Sequence, residues 1–194
     1  MKTIGHHCYI VSIIILFLVG CNDQGIQEWG AVNHRAIIPL PSRSKSPITA
    51  GMWTVVRVVD GDTLIVGDSD DRKQQYRVRL IGADTPETVR PGTPVEAFGV
   101  EASEFVKQKI AEADYHIRIS FDGEQLDRYK RTLAMVWLQL PNGQEVWLNE
   151  LLIREGLAHA RLDYRYSHGA KRAFAGAEIE ARKHRRNLWK DTAQ

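Results

Sequence analysis

The sequence predicts an α+β domain built on a small β-barrel. Three observations predict it. Short β-branched runs that alternate apolar and polar residues recur between Trp53 and Leu148. Turn residues such as Asp60-Gly61 and Pro141-Asn142-Gly143-Gln144 divide these runs into hairpins. Helical periodicity is confined to one central segment and to the C-terminal end, which segregates helices from strands.

The elements follow in order. Trp53 to Val59 and Thr63 to Val66 flank Asp60-Gly61, a strong hairpin signal. Gln74 to Ile81 is a third strand, in which Tyr76, Val78 and Leu80 alternate with Arg77 and Arg79. From Val95 to Ile110 the period changes. Phe98, Ala102, Phe105, Val106 and Ile110 share one helical face. Tyr115 to Phe121 alternates again. Leu133 to Leu140 and Glu145 to Leu148 surround Pro141-Asn142-Gly143-Gln144, a second hairpin. Asn149 reads as the N-cap of a helix over Glu150 to Glu155, with Gly156 as its stop. Ala170, Ala173, Phe174, Ala177, Ala181 and Leu188 form a final helical stripe that closes near Trp189. The predicted order is β-β-β-α-β-β-β-α-α. The tryptophans at 53, 137, 147 and 189 read as core.

The chain has 194 residues, 43% of them hydrophobic and 26% charged, an ordinary globular composition for one domain with extensions. A net charge of +2 does not by itself imply a nucleic-acid binder. Its distribution says more. Between Arg161 and Lys190 nine Lys and Arg stand against three acids. Such a surface attracts phosphates, and it is equally what a solvated helix face looks like.

The first residues read as an address. Lys2 precedes an apolar run from Tyr9 to Val19, too short to span a bilayer comfortably and suited to the core of a signal peptide. Leu18-Val19-Gly20-Cys21 then resembles a bacterial lipobox. That resemblance implies cleavage before Cys21, lipidation of its thiol and anchoring to an envelope membrane. The expected divisions are a signal peptide over 1–20, a lipidated cysteine and flexible tether over 21–50, a folded domain over 51–190 and a tail over 191–194. The tether expectation rests on Pro39, Pro41 and Pro47 among serines. The only cysteines are Cys8 and Cys21, so the mature domain would hold neither a disulfide nor a cysteine metal site.

Three charged clusters carry the chemistry: Asp60-Gly61-Asp62-Thr63, the stretch from Arg77 to Glu87, and Asp127-Arg128-Tyr129-Lys130-Arg131. All three fall at strand ends or turns, where side chains converge on one mouth of a barrel. Carboxylates and a carbonyl suit a hard cation such as calcium. Arginines present planar forks to phosphate oxygens. A glutamate between the two takes a proton from water. Metal-assisted phosphodiester hydrolysis requires this set. Taken singly, each feature is also what a capped turn or a solvated strand face shows.

The order of the motifs is more specific. VVDGDTLIV, RVRLIGADTPE, EAFGVEAS, LDRYKRTLAMVW, LNELLIREGLAHA and RRNLW, from about Thr54 to Trp189, resemble the staphylococcal nuclease family. The resemblance implies an OB-fold, a five-stranded barrel with three helices; six strand-like runs are present, so the last two are one interrupted strand or an added hairpin. It implies Asp62, Asp84 and the Thr85 carbonyl as calcium ligands, with Asp60 behind them. It implies Glu87 as general base or water orienter, and Arg79 and Arg131 as phosphate-binding groups. The family hydrolyses DNA and RNA to 3′-phosphate ends. Tyr129 matches a tyrosine at the nucleotide pocket, and Tyr164 and Tyr166 are substrate-contact candidates. Lys130, a further substrate-contact candidate, departs from the family's reference member, which has glycine there; it could add a phosphate contact or shift that loop. The expected partners are nucleic acid and a membrane, and the expected state is a monomer. A noncatalytic nucleic-acid-binding module on the same fold is the alternative. The presence of Asp62, Asp84, Glu87, Arg79 and Arg131 together favours the enzyme.

Overall fold

The computed structural model describes residues 38–41, 45–68, 70–88 and 96–191. Within them the order is β1 (Gly51–Asp60), β2 (Thr63–Gly67), β3 (Gln75–Leu80), β4 (Ala83–Asp84), α1 (Gly99–Glu112), β5 (His116–Ser120), β6 (Thr132–Gln139), β7 (Glu145–Trp147), α2 (Leu148–Arg154), β8 (His159–Ala160) and α3 (His168–Lys183). The signal-peptide run, Cys21 and the first part of the expected tether lie outside the described residues.

Five strands close a barrel in the order β3-β2-β1-β5-β6, and β6 returns to β3 in parallel. β1 serves two neighbours. Gly51 to Thr54 pair with β5, and Val55 to Asp60 pair with β2. Irregularities in register between Val55 and Arg57 and between Val58 and Asp60 bend the strand from one partner to the other, as barrel corners require. Inward residues of the alternating runs, among them Leu64, Val66, Val78, Leu80, Ile117 and Ile119, are fully buried. This is the α+β, OB-type barrel with three helices that the alternation and the resemblance lead one to expect. The sixth strand-like run is an added hairpin: β7 pairs with β6 outside the closed barrel, with Trp137 opposite Trp147. Those two indoles stack at 5.0 Å, and Trp147 meets Phe174 of α3 at 4.7 Å. Trp137, Trp147 and Trp189 are buried as expected, and Trp53 is half-buried.

Three local expectations change. The first helix starts at Gly99 rather than Val95, because Phe98 takes a left-handed backbone (φ 67°) that no helix continues through. Asn149 is not an N-cap. The helix starts at Leu148, and Asn149 is fully buried inside its first turn. Its Oδ1 accepts from the Val136 amide at 2.8 Å, and its Nδ2 donates to the carbonyls of Ile81 and Ala134 at 2.9 and 3.0 Å. The expected tether is, where described, part of the domain. Ile48 is in the core, the Leu40 amide donates to Asp122, and Ser46 bonds Gln125 and Thr132. An apolar anchor and satisfied backbone groups outweigh the flexibility that the prolines and serines suggest.

Candidate active site

The charged clusters arrive from the ends of different strands. The β1–β2 turn carries Asp60, Gly61 and Asp62. This turn lies hard against the layer below it: a Cβ on Gly61 would sit 2.8 Å from both Ala102 of α1 and the Thr85 methyl, so no other residue fits. β3 carries Arg77 and Arg79. The chain then turns through Gly82, whose φ of +79° and closeness to the Phe174 ring exclude a side chain, and enters β4 with Asp84. Thr85, Pro86 and Glu87 follow. The loop before β6 brings in Arg128, Tyr129 and Arg131.

An open pocket of about 650 Å³ results. Asp60, Asp62, Arg79, Asp84, Thr85, Glu87, Tyr129 and Arg131 all line it, as the sequence leads one to expect. So do Arg77, Pro86, Glu96 and Arg128. Its five carboxylates and four guanidiniums leave a net charge of −1.

Arg79 is the hub. Its two terminal nitrogens bind Asp62 Oδ1 and Asp84 Oδ1. Burial opposes its charge, and the carboxylates of Asp62 and Asp84 outweigh that effect, so its pKa lies above the ordinary arginine value. Asp62 is buried and accepts from the Thr63 hydroxyl at 2.9 Å and from the Thr85 amide at 3.1 Å. Burial pushes its carboxyl up to about 7; Arg79 pulls the other way and Asp60 pushes up again. Asp60 accepts from the Asp62 amide at 3.3 Å, directly behind that residue. Glu87 and Glu96 fasten the rim to each other: the Glu87 amide donates to the Glu96 carboxylate at 3.0 Å, and the Glu96 amide to the Glu87 carbonyl at 3.1 Å.

Arg131 is oriented by Asp127, which accepts from its Nε at 2.6 Å and from its amide at 2.8 Å. The same carboxylate accepts from the Tyr129 amide at 2.8 Å. Tyr129 is 65% exposed, with the Arg128 and Arg131 guanidiniums 4.7 and 5.5 Å from its ring centre. Lys130 has a left-handed backbone (φ 62°). That conformation favours glycine, which explains the family's choice; lysine accepts it at about 1 kcal/mol. Lys130 is exposed and does not line the pocket. Nor do the two later tyrosines. Tyr164 is half-buried, 6.0 Å below Arg161. Tyr166 is a core anchor rather than a substrate contact: it is 2% exposed, its hydroxyl donates to the Arg161 carbonyl at 2.7 Å, and burial raises its pKa.

Sequence reasoning missed Glu96 and Arg161, and it named Asp127 in a charged cluster without giving it a role. Glu96 stands inside a quoted motif, but nothing local marks it as a contact. Arg161 appeared only in a charge count. Its Nη1 donates to Asp84 Oδ2 at 3.0 Å, while Asp163 holds its other nitrogens. The β4–β8 pairing, Asp84 opposite His159, brings it there from 77 residues away. Of the other cations in the basic C-terminal stretch, Arg165 meets Glu124, Arg186 meets Glu180 and Arg182 covers Trp189 at 3.8 Å. Much of that charge is spent inside the domain.

Among the described residues no group of three or more His, Cys, Asp or Glu side chains could hold a metal by itself. The Asp62 and Asp84 carboxylates, joined through Arg79, are hard oxygen donors in a pocket of net negative charge, and they fit an oxygen-seeking divalent cation.

A five-stranded OB-type barrel with carboxylates and arginines gathered at one mouth defines a class of domain built for phosphodiester chemistry. The chain belongs to the staphylococcal nuclease family: residues 77–191 match the family described as staphylococcal nuclease homologue. It is 41% identical over 187 residues to the thermonuclease of Staphylococcus hyicus, a match that spans 96% of each chain. It is 41% identical over 147 residues to that of Staphylococcus intermedius, covering 76% of this chain and 81% of the relative. Against the micrococcal nuclease of Shigella flexneri it is 36% identical over 142 residues, with 71% and 72% covered.

Proposed function

We infer that the protein is a nuclease, a phosphodiester hydrolase acting on nucleic acid, and propose that its reaction is calcium-dependent and leaves 3′-phosphate ends. One observation carries the reading. Asp62, Asp84, Glu87, Arg79 and Arg131, drawn from three separate stretches of a chain with thermonuclease relatives, line a single pocket. A binding-only module has no use for a glutamate that shares one pocket with these two arginines and two aspartates.

Asp62 and Asp84 would hold the cation, with the Thr85 carbonyl as a third donor. Calcium, when bound, supplies a fixed positive charge beside the phosphate. It also turns the pocket's net charge from −1 to +1, the sign that admits a phosphodiester. Glu87 accepts the proton of the attacking water, or orients it. Arg79 and Arg131 hold the phosphate oxygens and their growing charge. Arg131 reaches the task already aligned by Asp127. Tyr129, exposed at the rim, offers a face for a base. Arg161, bonded to the outer oxygen of Asp84, keeps that carboxylate turned inward.

We further propose that the chain is secreted through the signal peptide at 1–20 and anchored by lipid on Cys21 to an envelope membrane. Among the described residues no helix is long and apolar enough to cross a membrane.

The test is digestion of single- and double-stranded DNA and RNA with calcium, with magnesium and with a calcium chelator, followed by identification of the product ends. Cleavage that needs calcium and leaves 3′-phosphates supports the full reading. Binding without cleavage under every metal overturns it in favour of the module.

A further inference from the structure

The outer face of β1, β2 and β3 carries two rows of side chains in register. The row at the pocket is Asp60, Thr63 and Arg79. Two residues further along each strand pairing, the next row is Arg57, Ile65 and Arg77, with Arg57 opposite Ile65 and Ile65 opposite Arg77. The irregularity between Val58 and Asp60 keeps Arg57 on this face although it lies three residues from Asp60. The inward row between them, Val58, Leu64 and Val78, confirms the alternation, since Leu64 and Val78 are fully buried.

Both arginines are exposed, and among the described residues neither meets a carboxylate. Among the described residues Arg72, Arg128, Arg172 and Arg185 likewise meet no carboxylate; what sets Arg57 and Arg77 apart is that they share one sheet face beside the site. Arg118, Arg154, Arg161, Arg165, Arg182 and Arg186 each have a carboxylate partner. The fold pairs most of its arginines and leaves these two open on one face, beside the site. Arg77 also lines the pocket, so the row is continuous with it. Two residues of strand separate the rows by about 7 Å, close to the spacing of successive phosphates along an extended strand. At the far end the face runs into Asp68, Asp70 and Asp71, which repel a phosphate and limit the surface to one further step.

We propose that Arg57 and Arg77, either side of Ile65, form a phosphate track that holds the phosphate next to the scissile one on the substrate strand. The inference rests on the nuclease reading. It makes the enzyme a reader of chains rather than of single phosphodiesters: planar guanidinium forks take the flanking phosphate, and the Ile65 side chain offers an apolar patch between them. No base is read, so the preference is for length and not for sequence.

The experiment measures binding of 5′-fluorescein-labelled dT8 by anisotropy, in calcium chelator to stop turnover, at several salt concentrations, with unlabelled dT2 as competitor. Wild type is compared with Arg57→Gln, with the double variant Arg57→Gln/Arg77→Gln, and with Arg172→Gln, which removes an exposed cation from α3. The double variant is expected to weaken dT8 about three- to tenfold. It should lower the slope of log Kd against log salt by about 0.7, the contribution of one neutralised phosphate of a single strand. Competition by dT2 should change less than twofold, and Arg172→Gln should leave the slope in place. Equal losses for dT8 and dT2, or an unchanged slope in the double variant, overturn the track. So does an equal loss in Arg172→Gln, which would mean that net charge alone matters. The Glu87→Gln variant, which keeps Arg57 and Arg77, is measured in calcium as well; its failure to bind dT8 there overturns the track even if calcium-dependent cleavage by wild type persists. Failure to bind and to cleave overturns the nuclease reading with it.

Discussion

Replacing Asn149 with alanine tests how the barrel is held together behind the site. β6 loses one neighbour before it gains the next. Its pairing with β3 ends at Leu80 opposite Ala134, and its pairing with β7 starts at Trp137 opposite Trp147. The Val136 amide falls in the gap, and Asn149 Oδ1 accepts from it. The same side chain donates to the Ile81 carbonyl, three residues before Asp84. The Ala134 carbonyl has a second donor in the Ile81 amide at 3.0 Å, so it survives the loss. Two groups do not. Each buried, unsatisfied backbone group costs about 1–3 kcal/mol, so Asn149→Ala should destabilise the fold by about 2–6 kcal/mol. That is a large share of the roughly 5–15 kcal/mol that holds a domain folded. Urea unfolding followed by tryptophan fluorescence, in chelator so that metal does not contribute, measures it. Asn149→Asp keeps the acceptor for Val136 but turns a carboxylate towards two carbonyls, and should be at least as destabilising at pH 7. A loss below about 1 kcal/mol in Asn149→Ala would refute the assignment of this side chain as the closing tie.

Glu87→Gln and Arg131→Ala should each lower kcat by about two orders of magnitude or more with unfolding midpoints close to wild type; full activity in either would sink the proposed roles. Asp62 has its folded pKa raised to about 7 from 3.8, so its favourable contribution is present below pH 4 and is lost as pH rises through 7. In metal-free protein the stability of Asp62→Asn relative to wild type should therefore improve as pH rises from 4 to 7; a difference that stays flat over that range contradicts the burial effect. Arg79→Gln should bind calcium more tightly than wild type at pH 8 in a calorimetric titration while turning over far more slowly. Weaker calcium binding would show that Arg79 does not compete for the carboxylates.

The barrel was legible because alternation survives in short strands. Leu64 and Val66, Val78 and Leu80, and Ile117 and Ile119 all point inward as their period-2 spacing demands. β6 obscures this rule, since it is buried from Thr132 to Leu138, with strands on either edge and α2 against it. The site carboxylates were legible for a different reason. They sit in turns, where Asp60-Gly61 and Ala83 to Glu87 leave the hydrophobic pattern. Arg161 and Asn149 were not legible. Each acts through a partner far along the chain, Asp84 in one case and Ile81 in the other, and local spacing carries no trace of either. The tyrosines show the converse limit. Tyr129 and Tyr166 look alike as residues near basic clusters, yet one is 65% exposed at the rim and the other 2% exposed under Gly82.

The geometry around Arg79 ties the two halves of the proposed chemistry together. One guanidinium spans the two carboxylates assigned to the cation, and the same guanidinium is assigned to the phosphate. It cannot do both at full strength. Asp62 and Asp84 would hold the cation, which would supply positive charge beside the phosphate; Arg79, released from both carboxylates, would then have its fork open to a phosphate. Asp84 keeps Arg161 on its outer oxygen and is not set adrift by the exchange. Asp62 keeps Thr63 and the Thr85 amide. Both carboxylates are therefore held in place by bonds that Arg79 does not share, and only Arg79 changes partners. Under this proposal cation binding and phosphate binding would be coupled through one side chain, each making the other more favourable. Arg79→Gln should uncouple them, so that oligonucleotide affinity no longer rises when calcium is added, and that loss of response distinguishes a shared arginine from two independent sites.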